Sequence, residues 1–171
     1  MQSACGCAHN QRMTSTASKL AAAEGYLTLK LPHDAWEALD EIPPDERESL
    51  EVISLRLEIL SSMQRWKEVS RIGRESISRF PAHGHLYLQT SYGVRRHENL
   101  TAAYEVLASG EHALSKEALF HFNMACYECQ LGHLEAARER LIRAIKLGRE
   151  CRQMALDDPD LQPLWDQIPN L

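Results

Sequence analysis

The chain has 171 residues, room for one domain and its core but not for two full-sized ones. With 44% hydrophobic and 25% charged residues its balance is that of a globular protein, which excludes disordered and fibrous classes. Nineteen Lys and Arg against 24 Asp and Glu leave a net charge of -5, which argues against nucleic acid or an anionic membrane as partner, since both want a basic face.

Residues 1–15 are polar and small and are expected to form a flexible tail. From there helical signals come in pairs. In residues 16–49, Ala23 and Tyr26 belong to a first helix, Pro32 falls in a turn, DAWEALDEI reads as a second helix, and Pro43-Pro44 ends it. Asp45 and Glu46 follow where negative charge suits the start of the next helix. Residues 50–83 pair a helix through Ile53, Leu57 and Leu60 with KEVSRIGRESI, closed by Pro81 and Gly84. Residues 84–117 pair Tyr87, Ser91 and Val94 with TAAYEVLASG, which Gly110 ends. Residues 118–151 pair a helix through Met124 and Ala125 with EAARERLIRAI, the turn falling at Gly132. Residues 152–171 read as a capping segment, entered through a short helix at Met154 and Leu156 and a turn at Asp157-Asp158-Pro159. Leu161, Leu164, Trp165 and Ile168 follow at 3- and 4-residue spacing. No window alternates with period two for long enough to demand a strand, so the fold class is all-α.

The pairs share one register. Ala35, Val69, Ala103 and Ala137 lie 34 residues apart, as do Leu39, Gly73, Leu107 and Leu141, and again Ile42, Ser76, Gly110 and Ala144. Pro32, Trp66, Leu100 and Leu134 precede the second helices at the same interval. Small or apolar residues recurring this way fit helical hairpins that lean on one another, because a lone hairpin cannot cover its own apolar stripe. Small side chains at Ala35, Ala103 and Ala137 let paired helices approach closely. By the same logic Trp36, Trp66, Tyr87 and Tyr104 are expected between helices and Trp165 in the cap.

Period and residues together resemble the tetratricopeptide repeat (TPR) family. The fourth unit is most similar, with Ala125, Gly132, Leu134, Ala137, Leu141 and Ala144, while Tyr26, Ala35, Trp66 and Pro81 carry it in the first two units. Leu57 and Gly73 depart from the family pattern. The resemblance covers about residues 16–151 and implies a right-handed α-solenoid of four TPR-like helical hairpins with a C-terminal cap. It also implies a concave groove lined by the first helix of each pair, where peptides bind. Carried over, that groove presents Glu24, Glu58, His85, Leu88, Tyr92, Arg95, Arg96, Phe122, Cys126 and Gln130. The family's carboxylate clamp is missing, its places holding Leu20, Glu24, Leu55 and Leu88. Arg95 and Arg96 beside Tyr92 instead suit a carboxylate-bearing peptide, with an apolar anchor reaching Phe122. The plainer reading is a solvated helix end whose cations suit the dipole.

Catalytic signatures are missing: there is no Gly-rich phosphate loop, no HExxH and no GxSxG elbow. His83, His85, His97, His112, His121 and His133 are scattered, and no enzyme is expected. Cys126-Tyr127-Glu128-Cys129 puts two sulfurs about one helical turn apart, but zinc would need two further ligands and no second CxxC exists. Both cysteines read as small apolar residues of a packed or groove-facing surface. Cys5, Cys7 and His9 sit in the tail, where adventitious metal is their main prospect, so neither metal nor cofactor is expected.

No apolar run reaches the ~18–20 residues of a membrane span, and no apolar stretch near the start marks a signal peptide. Five cysteines, an odd number, then point to reduced thiols in a cytoplasm. The function expected is non-catalytic: an adaptor or scaffold that binds a protein or peptide partner, neither nucleic acid nor membrane. Two alternatives stay open, a dedicated chaperone for a secreted or aggregation-prone client and a metal- or thiol-responsive protein using Cys126 and Cys129. A cap that exposed Leu161 and Trp165 would also allow a homodimer.

Overall fold

Helix starts recur on the interval that the sequence register sets. A computed structural model describes the backbone of residues 3–170 and the side chains of residues 16–169. Its helices are α1 (Ser3–Thr28), α2 (Pro32–Asp40), α3 (Leu50–Ser62), α4 (Trp66–Arg79), α5 (Gly84–His97), α6 (Leu100–Ser109), α7 (Glu111–Leu114), α8 (Ala118–Gln130), α9 (Leu134–Leu147) and α10 (Glu150–Asp157). Two 3-10 segments, Pro159–Leu164 and Ile168–Asn170, follow. There is no strand among the described residues. The second helices begin at Pro32, Trp66, Leu100 and Leu134, and three of the first helices at Leu50, Gly84 and Ala118, both series stepping by 34 residues. Every residue of the three-position register from Ala35 to Ala144 is buried.

The hairpin turns show why the step is constant. Leu31, Arg65 and His133 each donate a backbone N–H to the carbonyl five residues earlier, that of Tyr26, Leu60 and Glu128, all at 2.9 Å. This closure needs one left-handed residue, and Lys30 (φ 60), Gln64 (φ 57) and Gly132 (φ 83) supply it. The third turn is built differently: Asn99 caps α6 by accepting the Ala102 N–H on its side-chain oxygen at 2.8 Å.

The chain divides into two compact units, residues 1–72 and 73–171, the division falling within α4. In the first, α1, α2 and α3 pack together over Ala23, Ala35, Leu39, Ile42, Val52, Leu55 and Ile59. Tyr26 is 37% exposed, and Leu27 beside it packs against this core. Pro43-Pro44 stops α2 as expected, but Asp45 and Glu46 lie in turns short of α3, whose start Ser49 caps by accepting the Val52 N–H. Arg47 ties these turns back, donating to the Ile42 carbonyl at 2.6 Å and pairing with Asp40 at 3.0 Å. Trp36 is half-buried, with the Arg65 guanidinium 5.0 Å from its ring centre. Leu57, unusual for its place, is fully buried.

In the second unit α8 is the central element. Phe120, His121, Phe122 and every residue from Met124 to Cys129 are buried, because α8 packs against α6, α9, α10 and the Pro159–Leu164 segment. A helix covered all round carries apolar residues all round. Gly110 ends α6 and a short extra helix, α7, follows where none was expected; a Cβ on Gly110 would meet the Tyr87 ring at 2.6 Å. Gly73 has a similar reason, since a Cβ there would lie 2.2 Å from Thr90 Oγ1. In α10, the short helix expected through Met154 and Leu156, Cys151 and Ala155 face the core, while Met154 and Leu156 are 37% and 36% exposed. Leu161, Leu164 and Ile168 are buried, and Trp165 packs beside them, its ring N–H donated to the Ala155 carbonyl at 3.0 Å. α1 begins at Ser3, inside the stretch expected to be a tail; the side chains of Cys5, Cys7 and His9 lie outside those described.

Candidate functional site

One face of α5 carries four of the ten expected groove residues. His85, Leu88, Tyr92 and Arg96 follow at steps of three or four, so they share that face. Leu88, Tyr92, Arg95 and Arg96 line a cleft of about 560 Å³ together with Asn123, Cys126 and Tyr127 of α8 and Asp158, Pro159 and Asp160. Leu88 also lines a second hollow of about 400 Å³ with Gly84, His85, Ala113, Leu114, Glu117 and Leu119. The two share one wall along α5, the second more apolar through Leu114 and Leu119. Gln130 lies beyond, its amide donating to the Asp160 carbonyl at 3.0 Å.

Not every expected residue joins them. Phe122 is 4% exposed and belongs to the core of this unit, so it offers a partner no anchor. Cys126 is equally buried and reaches the cleft only as part of its wall. Glu24 and Glu58 are exposed on α1 and α3 of the first unit.

Electrostatics inside the cleft are already paired. Arg95 makes a two-pronged bond to Asp160, at 2.5 and 3.0 Å, with its guanidinium 5.5 Å from the centre of the Tyr127 ring. That bond holds the guanidinium pKa above its ordinary value. Arg96 donates to the Tyr92 hydroxyl at 3.0 Å. Asp158 accepts the Asp160 N–H at 2.9 Å and the Cys126 thiol at 3.7 Å. Burial, with the Asp158 and Asp160 charges adding to it, pushes the Cys126 thiol up; burial does the same for Cys129 and Cys151. A reactive cysteine needs the opposite shift. In the sequence Asp158 reads only as part of a turn and Asp160 lies just beyond it; their one signal is an acidic run able to balance Arg95 and Arg96.

A second polar group carries no signal in the sequence. Glu128, inside the CxxC spacing, is 4% exposed, and its Oε2 has no partner. Arg140 Nε lies 3.9 Å from its other oxygen and binds Glu111 through both terminal nitrogens at 2.8 and 3.1 Å. Burial raises the Glu128 pKa against the pull of Arg140, whereas the Arg140 bond lowers that of Glu111. Arg140 also donates to His121 Nδ1 at 3.3 Å, so Nε2 carries the proton donated to the Ser115 carbonyl at 2.9 Å. Burial depresses the His121 pKa, in keeping with that neutral ring. Among the described residues no three His, Cys, Asp or Glu side chains are placed to hold a metal ion. No helix among them is long and apolar enough to cross a membrane. The sequence matches no protein-family model and no curated protein.

Proposed function

We propose that the chain is a non-catalytic protein-interaction module of TPR-like hairpins, stacked as a right-handed α-solenoid with a C-terminal cap, that binds a peptide or partner helix along α5 and α8. The observation that carries this reading is the shared lining of one cleft by Leu88, Tyr92, Arg95 and Arg96 of α5 and Asn123 of α8. The constant step of the helix starts supports the stacking. Apolar contact at Leu88 and Leu119, with polar groups at Arg96 and Asn123, is the mixture that extended or helical peptides use. A cytoplasmic setting belongs to the same reading, supported by the free thiols of Cys126, Cys129 and Cys151. Any output passes through the partner.

A peptide array probed with wild type and with Leu88→Glu/Tyr92→Ala tests it, circular dichroism confirming that the variant is folded. Loss of at least part of the bound set is expected. An unchanged array would remove α5 as the binding surface.

A further inference from the structure

The carboxylate that Arg95 was expected to take from a partner is supplied by the chain itself. Both terminal nitrogens of its guanidinium hold the Asp160 carboxylate, which reaches them from 65 residues away in sequence. Resting on the peptide-binding reading, we propose that Arg95 is an exchange site: an acidic peptide occupies the cleft by replacing Asp160 on Arg95 with a carboxylate of its own.

Three features make the exchange feasible. The pair stands on the cleft wall, 31% and 23% exposed at its two side chains, so water and a ligand reach it. The backbone around Asp160 is anchored without that side chain: Leu161 and Leu164 are buried, Asp158 accepts the Asp160 N–H, and Gln130 donates to its carbonyl. The Asp160 carboxylate therefore can swing to solvent while the cap stays in place. Swapping one carboxylate for another leaves the charge at Arg95 balanced, whereas a neutral occupant would leave a half-buried guanidinium without its anion. The segment itself is the template for the ligand, with carboxylates flanking a proline and a leucine following, beside a wall that offers Leu88, Tyr92 and Arg96. An occupant tethered in the same chain competes at an effective concentration on the order of mM, and lowers apparent affinity by the fraction of molecules in which Arg95 is free.

The test uses full-length protein and a fluorescein-labelled peptide with the sequence of residues 157–164, read by fluorescence polarisation. Asp160→Asn is expected to bind it roughly three- to tenfold tighter than wild type. Arg95→Gln added to Asp160→Asn should erase that gain, and a peptide with its three Asp replaced by Asn should gain nothing. Equal affinity for wild type and Asp160→Asn, or a gain that survives Arg95→Gln, would overturn the exchange. A second readout needs no variant: saturating peptide should move the Arg95 Nε–H resonance of wild-type protein, and an unmoved resonance overturns the proposal equally. Peptides that bind along α5 with no sensitivity to Asp160 would remove the exchange and leave the interaction module standing.

Discussion

Burial of Glu128 beside Arg140 gives the chain a pH dependence whose sign is set by the direction of the shift. The folded carboxyl keeps its proton to a higher pH than the ordinary glutamate value of about 4.3. Over that interval the folded state binds more protons than the unfolded one, so stability falls as pH rises, and the loss persists above it. Glu128→Gln removes the cost, and Arg140 keeps Glu111 as its partner. The variant's urea midpoint is expected to exceed that of wild type at pH 8 and to merge with it near pH 4. A gap that stays constant with pH would refute this. His121 acts in the other direction: its depressed pKa means stability is lost as pH drops below the ordinary histidine value of about 6.5. The left-handed turn residues give a reciprocal pair of predictions. Gln64→Gly relieves the backbone at φ 57 and should raise stability by about 0.5–1 kcal/mol, read from the thermal midpoint. Gly132→Ala should lower it by about 1 kcal/mol, although nothing lies within 4 Å of the added Cβ, because φ 83 and not space is the constraint.

Between elements, space decides instead. A Cβ at position 73 would stand 2.2 Å from Thr90 Oγ1, so Gly73→Ala forces α4 from α5 and should cost about 1–3 kcal/mol in urea unfolding. Thr90→Ala combined with it should recover part of that loss, since the two sites share one contact. Additive losses would show that the strain lies elsewhere. Leu161, fully buried, anchors the cap against α8, and Leu161→Ala is expected to cost about 2–5 kcal/mol. The cap's tryptophan reports its state, because Trp165 is held by the Ala155 carbonyl. With Trp36 and Trp66 replaced by Phe, its fluorescence should shift before the bulk helical signal if the cap opens first, whereas a single coincident transition would make the cap part of one cooperative unit.

Over the whole molecule, the helices and their buried register were open to reading because they are local and periodic. Side-chain size at Ala35, Ala103 and Ala137, breaks at Pro43-Pro44 and Gly132, and one interval throughout act within a few turns of the chain. The lining of the cleft was half legible. Spacing alone puts Leu88, Tyr92 and Arg96 on one face of α5, but burial of Phe122 depends on α8 being covered from all sides. Nothing in the spacing of Glu111, Glu128 and Arg140 announces that they meet.

Local sequence therefore carries the all-helical class, the 34-residue step of the helix starts from Pro32 onward and the buried three-position register. Folding in three dimensions is what seats Asp160 on Arg95, buries the CxxC cysteines with their thiols pushed up, and encloses the Glu128 carboxylate beside Arg140. The reason is the range of the forces involved. Helix and turn follow from backbone and neighbouring side chains, while a bond between residues 65 apart forms only once the cap has folded back across α8.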